Sequence, residues 1–219
     1  MKAIITQWYQ SLQNMVVPYF CSNCHRLLEE YTILCVACKN HIKPVVSTSL
    51  KLNSQYAISV YALSAYEEPL RSLILAKNYG KIVAAYQLGF LMRDHGIFTT
   101  KSIDFLLPVP LHWTRYASRG FNQAALIAQE ISTHTGIPVL LCAKRQRRTR
   151  FQAQLSAHDR VHNVRDVFAI VDKNEQLTNK HIMIIDDLMT TGSTLVALGK
   201  VLAQQRPASI CAFVACRVI

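Results

Sequence analysis

Short apolar runs alternate with stretches of helical spacing over most of this chain. Residues 56–63, YAISVYAL, read as a strand, and residues 67–80 carry Leu70, Leu73 and Ile74 at helical intervals before Gly80. A second helix is predicted over 81–96, closing at Gly96, and a buried strand over 103–110, IDFLLPVP, stopped by its prolines. Phe121, Ala124, Ala125, Ala128 and Ile131 form an apolar stripe on a helix that ends at Gly136, with Pro138 beyond. HIMIIDD (181–187) is another buried strand, TLVALGKVLAQQ (194–205) a helix, and SICAFVAC (209–216) a final strand. Buried strands separated by helices predict an α/β fold, a parallel sheet covered by helices on both faces.

The first part of the chain reads differently. Ile4, Ile5, Trp8, Leu12 and Met15 fall on one helical face, limited by Pro18. Docking of that stripe on the rest of the chain is the simpler reading, and contact with a membrane surface or a partner the other. A cysteine-containing stretch follows over 21–46, and the Ser/Thr/Asn/Gln-rich segment 47–55 reads as a connection. The expected organisation is an N-terminal helix with a cysteine module (1–46), then the α/β domain (47–219).

Composition narrows the class. At 219 residues with 51% apolar and 17% charged positions, the chain can build a core and is not a disordered tail. No apolar run approaches the roughly 18 residues that span a bilayer, and the first residues lack the features of a secretory signal. A cytoplasmic location is therefore expected. The 24 Lys and Arg against 13 Asp and Glu give a formal charge of +11, which favours polyanionic partners such as nucleic acid, nucleotides or sugar phosphates.

Four of the seven cysteines form two Cys-x2-Cys pairs, Cys21 with Cys24 and Cys35 with Cys38. Each pair can present two thiolates on one side of a tight turn, and two pairs complete a tetrahedron around Zn2+. With every position filled by sulfur, such a zinc is structural and replaces a core that so short a stretch cannot build. Two redox dithiols are the competing reading, although a dithiol enzyme needs only one pair. Cys142, Cys211 and Cys216 sit in apolar surroundings and read as buried.

The most informative segment follows the strand beginning at His181. Asp186 and Asp187 stand at its carboxyl end, where open α/β sheets place ligands. Thr190, Thr191, Gly192, Ser193 and Thr194 come next, at the mouth of a helix, where free N–H groups, hydroxyls and the helix dipole suit a phosphate. Carboxylates beside a phosphate cradle make sense for a ligand that also offers hydroxyls, as a ribose 5-phosphate does. An N-cap cluster with incidental acids is the structural alternative.

This segment resembles the signature of the type I phosphoribosyltransferases, which use phosphoribosyl pyrophosphate (PRPP). Leu107-Pro108-Val109-Pro110-Leu111-His112, Arg115, Arg119-Gly120-Phe121-Asn122-Gln123, Lys77-Asn78-Tyr79-Gly80 and Arg165 are in turn similar to the ComF family, as is the preceding four-cysteine module. The resemblance implies a type I phosphoribosyltransferase-like sheet with a small zinc-ribbon-like module ahead of it. It implies that Asp186 and Asp187 bind the ribose hydroxyls, with the first near the anomeric carbon. Thr190 through Thr194 would hold the 5-phosphate, and Leu188, Met189, Pro110, Leu111, His112 and Lys77 would complete the PRPP site. Mg2+ would be carried on the pyrophosphate. Members of the family serve natural transformation, the uptake of single-stranded DNA. The implied partners are PRPP, single-stranded DNA and the uptake machinery, on the cytoplasmic side of the inner membrane.

Arg115 and Arg119 lie four residues apart, on one side of a helix, and guanidinium groups suit either a diphosphate or a DNA backbone. Between 142 and 165, Lys144, Arg145, Arg147, Arg148, Arg150, Arg160 and Arg165 face a single acid, Asp159. The position matches the loop that closes over PRPP in type I enzymes. A single-stranded DNA path, with Phe151 stacking a base and Arg145 and Arg148 on phosphates, is equally physical, and a merely solvated basic loop is the third reading. The chain departs from the family pattern at Phe151, Gln154 and Asp166. Three functions stay open: a PRPP-dependent transferase in DNA uptake, a non-catalytic module that senses PRPP or a nucleotide and holds single-stranded DNA, and a nucleobase-salvage enzyme. A hood built from the Lys77 region and the cysteine module would shape the acceptor site.

Overall fold

Two short strands, β1 (Tyr19–Phe20) and β2 (Leu27–Leu28), pair antiparallel and bracket the first cysteine pair, and α1 (Val36–Asn40) begins inside the second. The computed structural model describes residues 19–30, 32–43, 45–78, 82–95, 97–146, 167–171 and 177–219. The apolar stripe expected over residues 1–18 lies outside them.

The chain continues through β3 (Val45–Lys51), β4 (Ala57–Ala65), α2 (Leu70–Asn78), α3 (Ile82–Arg93), α4 (Ile97–Thr100) and β5 (Phe105–Pro108). After α5 (Trp113–Arg119) and α6 (Gln123–Thr135) come a two-stranded ribbon of β6 (Ala143–Arg145) and β7 (Phe168–Ile170), then β8 (His181–Met189), α7 (Ser193–Ala203) and β9 (Ser209–Arg217). The central sheet has the order β3-β4-β9-β8-β5, with β4, β9, β8 and β5 parallel and β3 antiparallel at the edge. This is the α/β architecture that the alternating pattern predicts.

Strand composition follows from burial on two faces. Ile182 and Ile184 of β8 enter one apolar cluster with Ile58, Ile210 and the α7 residues Leu195, Leu198 and Leu202. Met183 and Ile185 turn the other way, to Leu88, Ile127, Ile131 and Phe213. Side chains alternate across the sheet, so a strand covered on both sides is apolar at every position. The α6 helix ends at Gly136, whose φ of 75° is the left-handed conformation in which glycine carries no Cβ penalty. Its buried face differs from the predicted stripe. Gln123, Ala124, Ile127, Ala128 and Ile131 are buried, while Phe121 lies outside the helix, before the cap at Asn122.

Residues 47–55 are not a connection. They complete the edge strand β3 and its hairpin to β4, in which the N–H groups of Leu52 and Asn53 donate to Tyr56 O and Asn53 Oδ1 accepts from Gln55 and Tyr56. An edge strand has one partner and a wet outer rim, and polar residues with Lys51 protect it from pairing with another chain. The same polarity makes it look like a loop.

The cysteine stretch is packed on the sheet domain. Cys21, Ile33, Leu34, Cys35 and Cys38 belong to the same apolar cluster as Leu70, Leu73, Leu88 and Met92. Gln87 Nε2 donates to Ser22 Oγ at 2.9 Å across this contact.

Candidate functional site

β5 and β8 are neighbours and parallel, yet the chain leaves their carboxyl ends in opposite directions. From β5 it reaches α6, whose Ile127, Ala128 and Ile131 cover one face of the sheet, and from β8 it reaches α7 on the other. A crevice opens where neighbouring strands part in this way. It is a cavity of about 270 Å³.

Asp186, Asp187 and Leu188 line it from the end of β8, and Thr194 from the first turn of α7. Both carboxylates are half-buried, and the Asp187 N–H donates to Asp186 Oδ1 at 2.9 Å. Thr190 and Thr191 are exposed in the loop between. Thr191 Oγ1 donates to Ser193 Oγ at 3.2 Å and accepts from Ser193 N at 3.4 Å. Gly192 occupies the cap of α7 with φ of 76°, and no side chain caps the first turn of that helix. A Cβ on Gly192 would stand 2.8 Å from Leu50 Cδ1 of β3, so the loop is pressed against the edge strand. Met189 faces the core.

From the opposite wall come Leu111, Arg115 and Arg119. Pro110 precedes them, half-exposed. His112 is 6% exposed and caps α5, with its ring Nδ1 2.9 Å from Thr114 Oγ1 and accepting from Thr114 N at 3.3 Å. Asn122 fixes this wall: its Oδ1 caps α6 at Ala124 N, and its Nδ2 donates to Val109 O at 3.0 Å. Val109 N in turn donates to Ile185 O, which ties the wall to β8.

Arg145 joins the cavity from β6, carried there by a parallel backbone bridge to His112. Burial lowers its pKa, the Arg115 charge adds to that, and Asp186 works in the other direction. Burial and then Arg115 lower Arg119 as well. Arginine stays charged through such shifts, so the result is a cluster of partly desolvated cations facing two carboxylates. That arrangement offers acceptors for sugar hydroxyls and bidentate donors for phosphate oxygens in one crevice.

Lys77 falls in α2, and its side chain, like all of Arg148, lies outside the described residues. Ile74, one turn earlier on α2, does line the cavity, whereas no residue of 19–43 does. The hood role expected of the cysteine module is therefore not seen among the described residues. Tyr66 and Gln123 are polar lining residues to which the sequence reading assigns no role. Tyr66 follows β4 directly, and its place just past a parallel strand is a signal that could have marked it. Gln123 is 3% exposed on the buried side of α6, with no hydrogen-bond partner for its Nε2 among the described residues.

The four cysteines form a separate centre. Their sulfurs all lie within 4.8 Å of one another, and Cys24 Sγ is 3.7 Å from Cys35 Sγ. Zinc–sulfur bonds of about 2.3 Å would set tetrahedral sulfurs about 3.8 Å apart, so the cluster fits a metal such as zinc. Burial raises the Cys21 thiol, but N–H groups of Cys24, Cys35 and Asn23 outweigh it and bring it down to about 6. Asn23 donates to Cys38 Sγ at 3.3 Å, yet burial and the three neighbouring sulfurs push Cys38 up to about 12. Four thiols this close cannot all ionise without a cation between them.

The phosphoribosyl transferase domain family matches residues 117–218, which hold the acidic loop, Arg119 and Arg145. Competence protein F of Haemophilus influenzae is 38% identical over 100 residues, 45% of this chain and 44% of that protein's length. DNA utilization protein YhgH of Salmonella typhimurium is 29% identical over 221 residues, covering 91% of this chain and 90% of its own. Competence protein ComFC of Bacillus subtilis is 27% identical over 159 residues, 71% and 61% of the two chains. Among solved structures, adenine phosphoribosyltransferase from Saccharomyces cerevisiae covers 84% of this chain at 12% identity, with a TM-score of 0.42. No helix among the described residues is long and apolar enough to cross a membrane. The domain match, the similarity to competence and DNA utilization proteins and the four-cysteine cluster together support a ComF-family, phosphoribosyltransferase-like protein.

Proposed function

We propose that the crevice between β5 and β8 binds PRPP with Mg2+, and that the protein acts in natural transformation as a phosphoribosyltransferase of unassigned acceptor. The observation that carries this reading is the meeting of Asp186 and Asp187 with Arg115, Arg119 and Arg145 in one cavity, beside Thr194 at the start of α7.

Under this reading the uncapped first turn of α7, with Thr190, Thr191 and Ser193, holds the 5-phosphate through N–H groups and hydroxyls. Asp186 and Asp187 accept from the ribose hydroxyls. The arginines, with Pro110, Leu111 and His112 shaping the turn, take the pyrophosphate, part of whose charge Mg2+ would offset when bound with it. The bond from the anomeric carbon to pyrophosphate breaks, and its electron pair leaves with pyrophosphate. A lone pair of the acceptor then closes on that carbon, where Asp186 offsets the positive charge that develops. Zinc in the four-cysteine cluster is a structural element of the same proposal, with sulfur in every ligand position. The same reading divides the chain into a cysteine module (1–46) and a phosphoribosyltransferase-like domain (47–219).

Calorimetric titration of PRPP with Mg2+ tests it. Micromolar binding that disappears in the Asp186→Ala, Asp187→Ala double variant is expected, and transformation by that variant is expected to fail while the protein stays folded and metal-loaded. No binding by the wild type overturns the PRPP reading. Binding without turnover on any acceptor favours the second reading, a non-catalytic sensor, which the strongly basic stretch after Arg145 supports.

A further inference from the structure

The α5 helix buries none of its seven residues, yet it carries two large aromatic side chains. Trp113 is 70% exposed and Tyr116 is 55% exposed. Three residues apart on a helix, they project from the same side. The Trp113 ring is not stacked flat on its neighbour, since the His112 ring lies 5.7 Å away at 39°. Each exposed aromatic of this size forgoes the burial that usually holds such residues in place. They are not core residues that failed to be covered, because α5 stands between two caps, His112 and Gly120, that fix it as a helix.

What adjoins the pair is specific. Arg115 and Arg119 leave the same helix about a third of a turn away and line the cavity together with Arg145. Aromatic faces alternate in sequence with guanidinium groups as Trp113, Arg115, Tyr116, Arg119. Lys144 and Arg145 of β6 add two further cations next to this helix, Arg145 being bridged to His112 at its start. A protein partner or a lipid surface would use the aromatics without needing guanidinium groups interleaved with them. A single strand of nucleic acid needs both: flat faces for unstacked bases and a cationic track for the phosphates between them.

We propose that Trp113 and Tyr116 form a base-stacking platform for single-stranded DNA, with Arg115 and Arg119 holding the intervening phosphates. This deepens the DNA side of the proposed function and does not depend on PRPP binding. Because Arg115 and Arg119 also face the cavity, strand and pyrophosphate draw on the same cations.

Fluorescence anisotropy with a labelled oligo-dT of about fifteen nucleotides, near the footprint of single-strand binders, tests the proposal. Trp113→Ala with Tyr116→Ala is expected to weaken binding about tenfold or more, in line with the usual worth of a stacked base. Trp113→Phe with Tyr116→Phe should restore most of it. An abasic strand of equal length keeps the phosphates and removes the bases. The wild type should bind it as weakly as the alanine variant binds oligo-dT. Equal affinity of wild type and alanine variant for oligo-dT overturns the proposal, as does equal wild-type affinity for the abasic strand. The same variants are titrated with PRPP. Loss of stacking with PRPP binding intact supports the platform alone, whereas absence of PRPP binding in the wild type sinks the PRPP reading and leaves the platform standing. Binding of anionic vesicles or of a partner protein lost in the alanine variant, with oligo-dT binding unchanged, assigns the aromatics elsewhere.

Discussion

Arg145 pairs backbone to backbone with His112, and through that bridge a residue from the β6 ribbon becomes part of the wall opposite Asp186. The pairing explains why a cation so far along the chain from Arg115 and Arg119 shares their cavity. Its guanidinium also lies 5.5 Å from the Phe168 ring, partnered through the β6–β7 register. Burial is the largest influence on this side chain, and Asp186 partly offsets it.

Arg145→Ala is expected to weaken PRPP binding about tenfold or more, the usual worth of a charge-assisted hydrogen bond to phosphate. Arg145→Lys should recover only part of that, because an ammonium cannot make the planar bidentate contact. Calorimetry on both variants checks it, and an unchanged dissociation constant for the alanine variant would remove Arg145 from the site.

Gly192→Ala should destabilise the fold by about 1–3 kcal/mol, since it places a Cβ at positive φ and 2.8 Å from Leu50 Cδ1. Urea unfolding measures this. Adding Leu50→Ala should relieve the steric part and leave the backbone part, so the two changes are not additive. A wild-type midpoint for Gly192→Ala would mean that the loop yields freely.

Removal of metal from the cysteine cluster should lower thermal stability by several degrees, because Ile33 and Leu34 share a core with Leu70 and Leu88. Elemental analysis should give about one zinc per chain. Scanning fluorimetry with and without a strong chelator reads the stability change. Identical midpoints would show that the four sulfurs carry no structural metal.

Asp104 should make stability depend on acid pH. Its Oδ2 accepts from His181 N at 2.8 Å and its Oδ1 from Lys180 Nζ at 3.4 Å, where β5 and β8 begin. The backbone donor is the larger cause that holds its pKa below the ordinary 3.8, with Lys180 adding to it against burial. A depressed folded pKa contributes stability that is present above the ordinary value and lost as pH falls through the folded one. Urea midpoints followed from about pH 5 down to about pH 3 should therefore fall less steeply in Asp104→Asn than in the wild type. Parallel curves would show that Asp104 does not couple to folding.

Local pattern determined a good deal of this protein. Two-faced burial makes β8 and β9 apolar at successive positions, so the sheet was legible without coordinates. Asp186, Asp187 and the Thr190–Thr194 loop are contiguous, and so are the two cysteine pairs, so the chemistry of each could be read from spacing. What tertiary structure decided is whatever depends on pairing between distant segments. The β3 edge strand looked like a connection because an edge needs polar residues on its open side, and only its ladder to β4 distinguishes it from a loop. Gln123 is a polar residue on the buried side of α6, and only packing shows that it lines the same cavity as Asp187. Tyr66 and Arg145 reach the same cavity by strand order and by a bridge to His112. Sequence periodicity records which face of an element is buried; it does not record which elements meet, because hydrophobic burial is non-directional and the partners are chosen by the closure of the whole sheet.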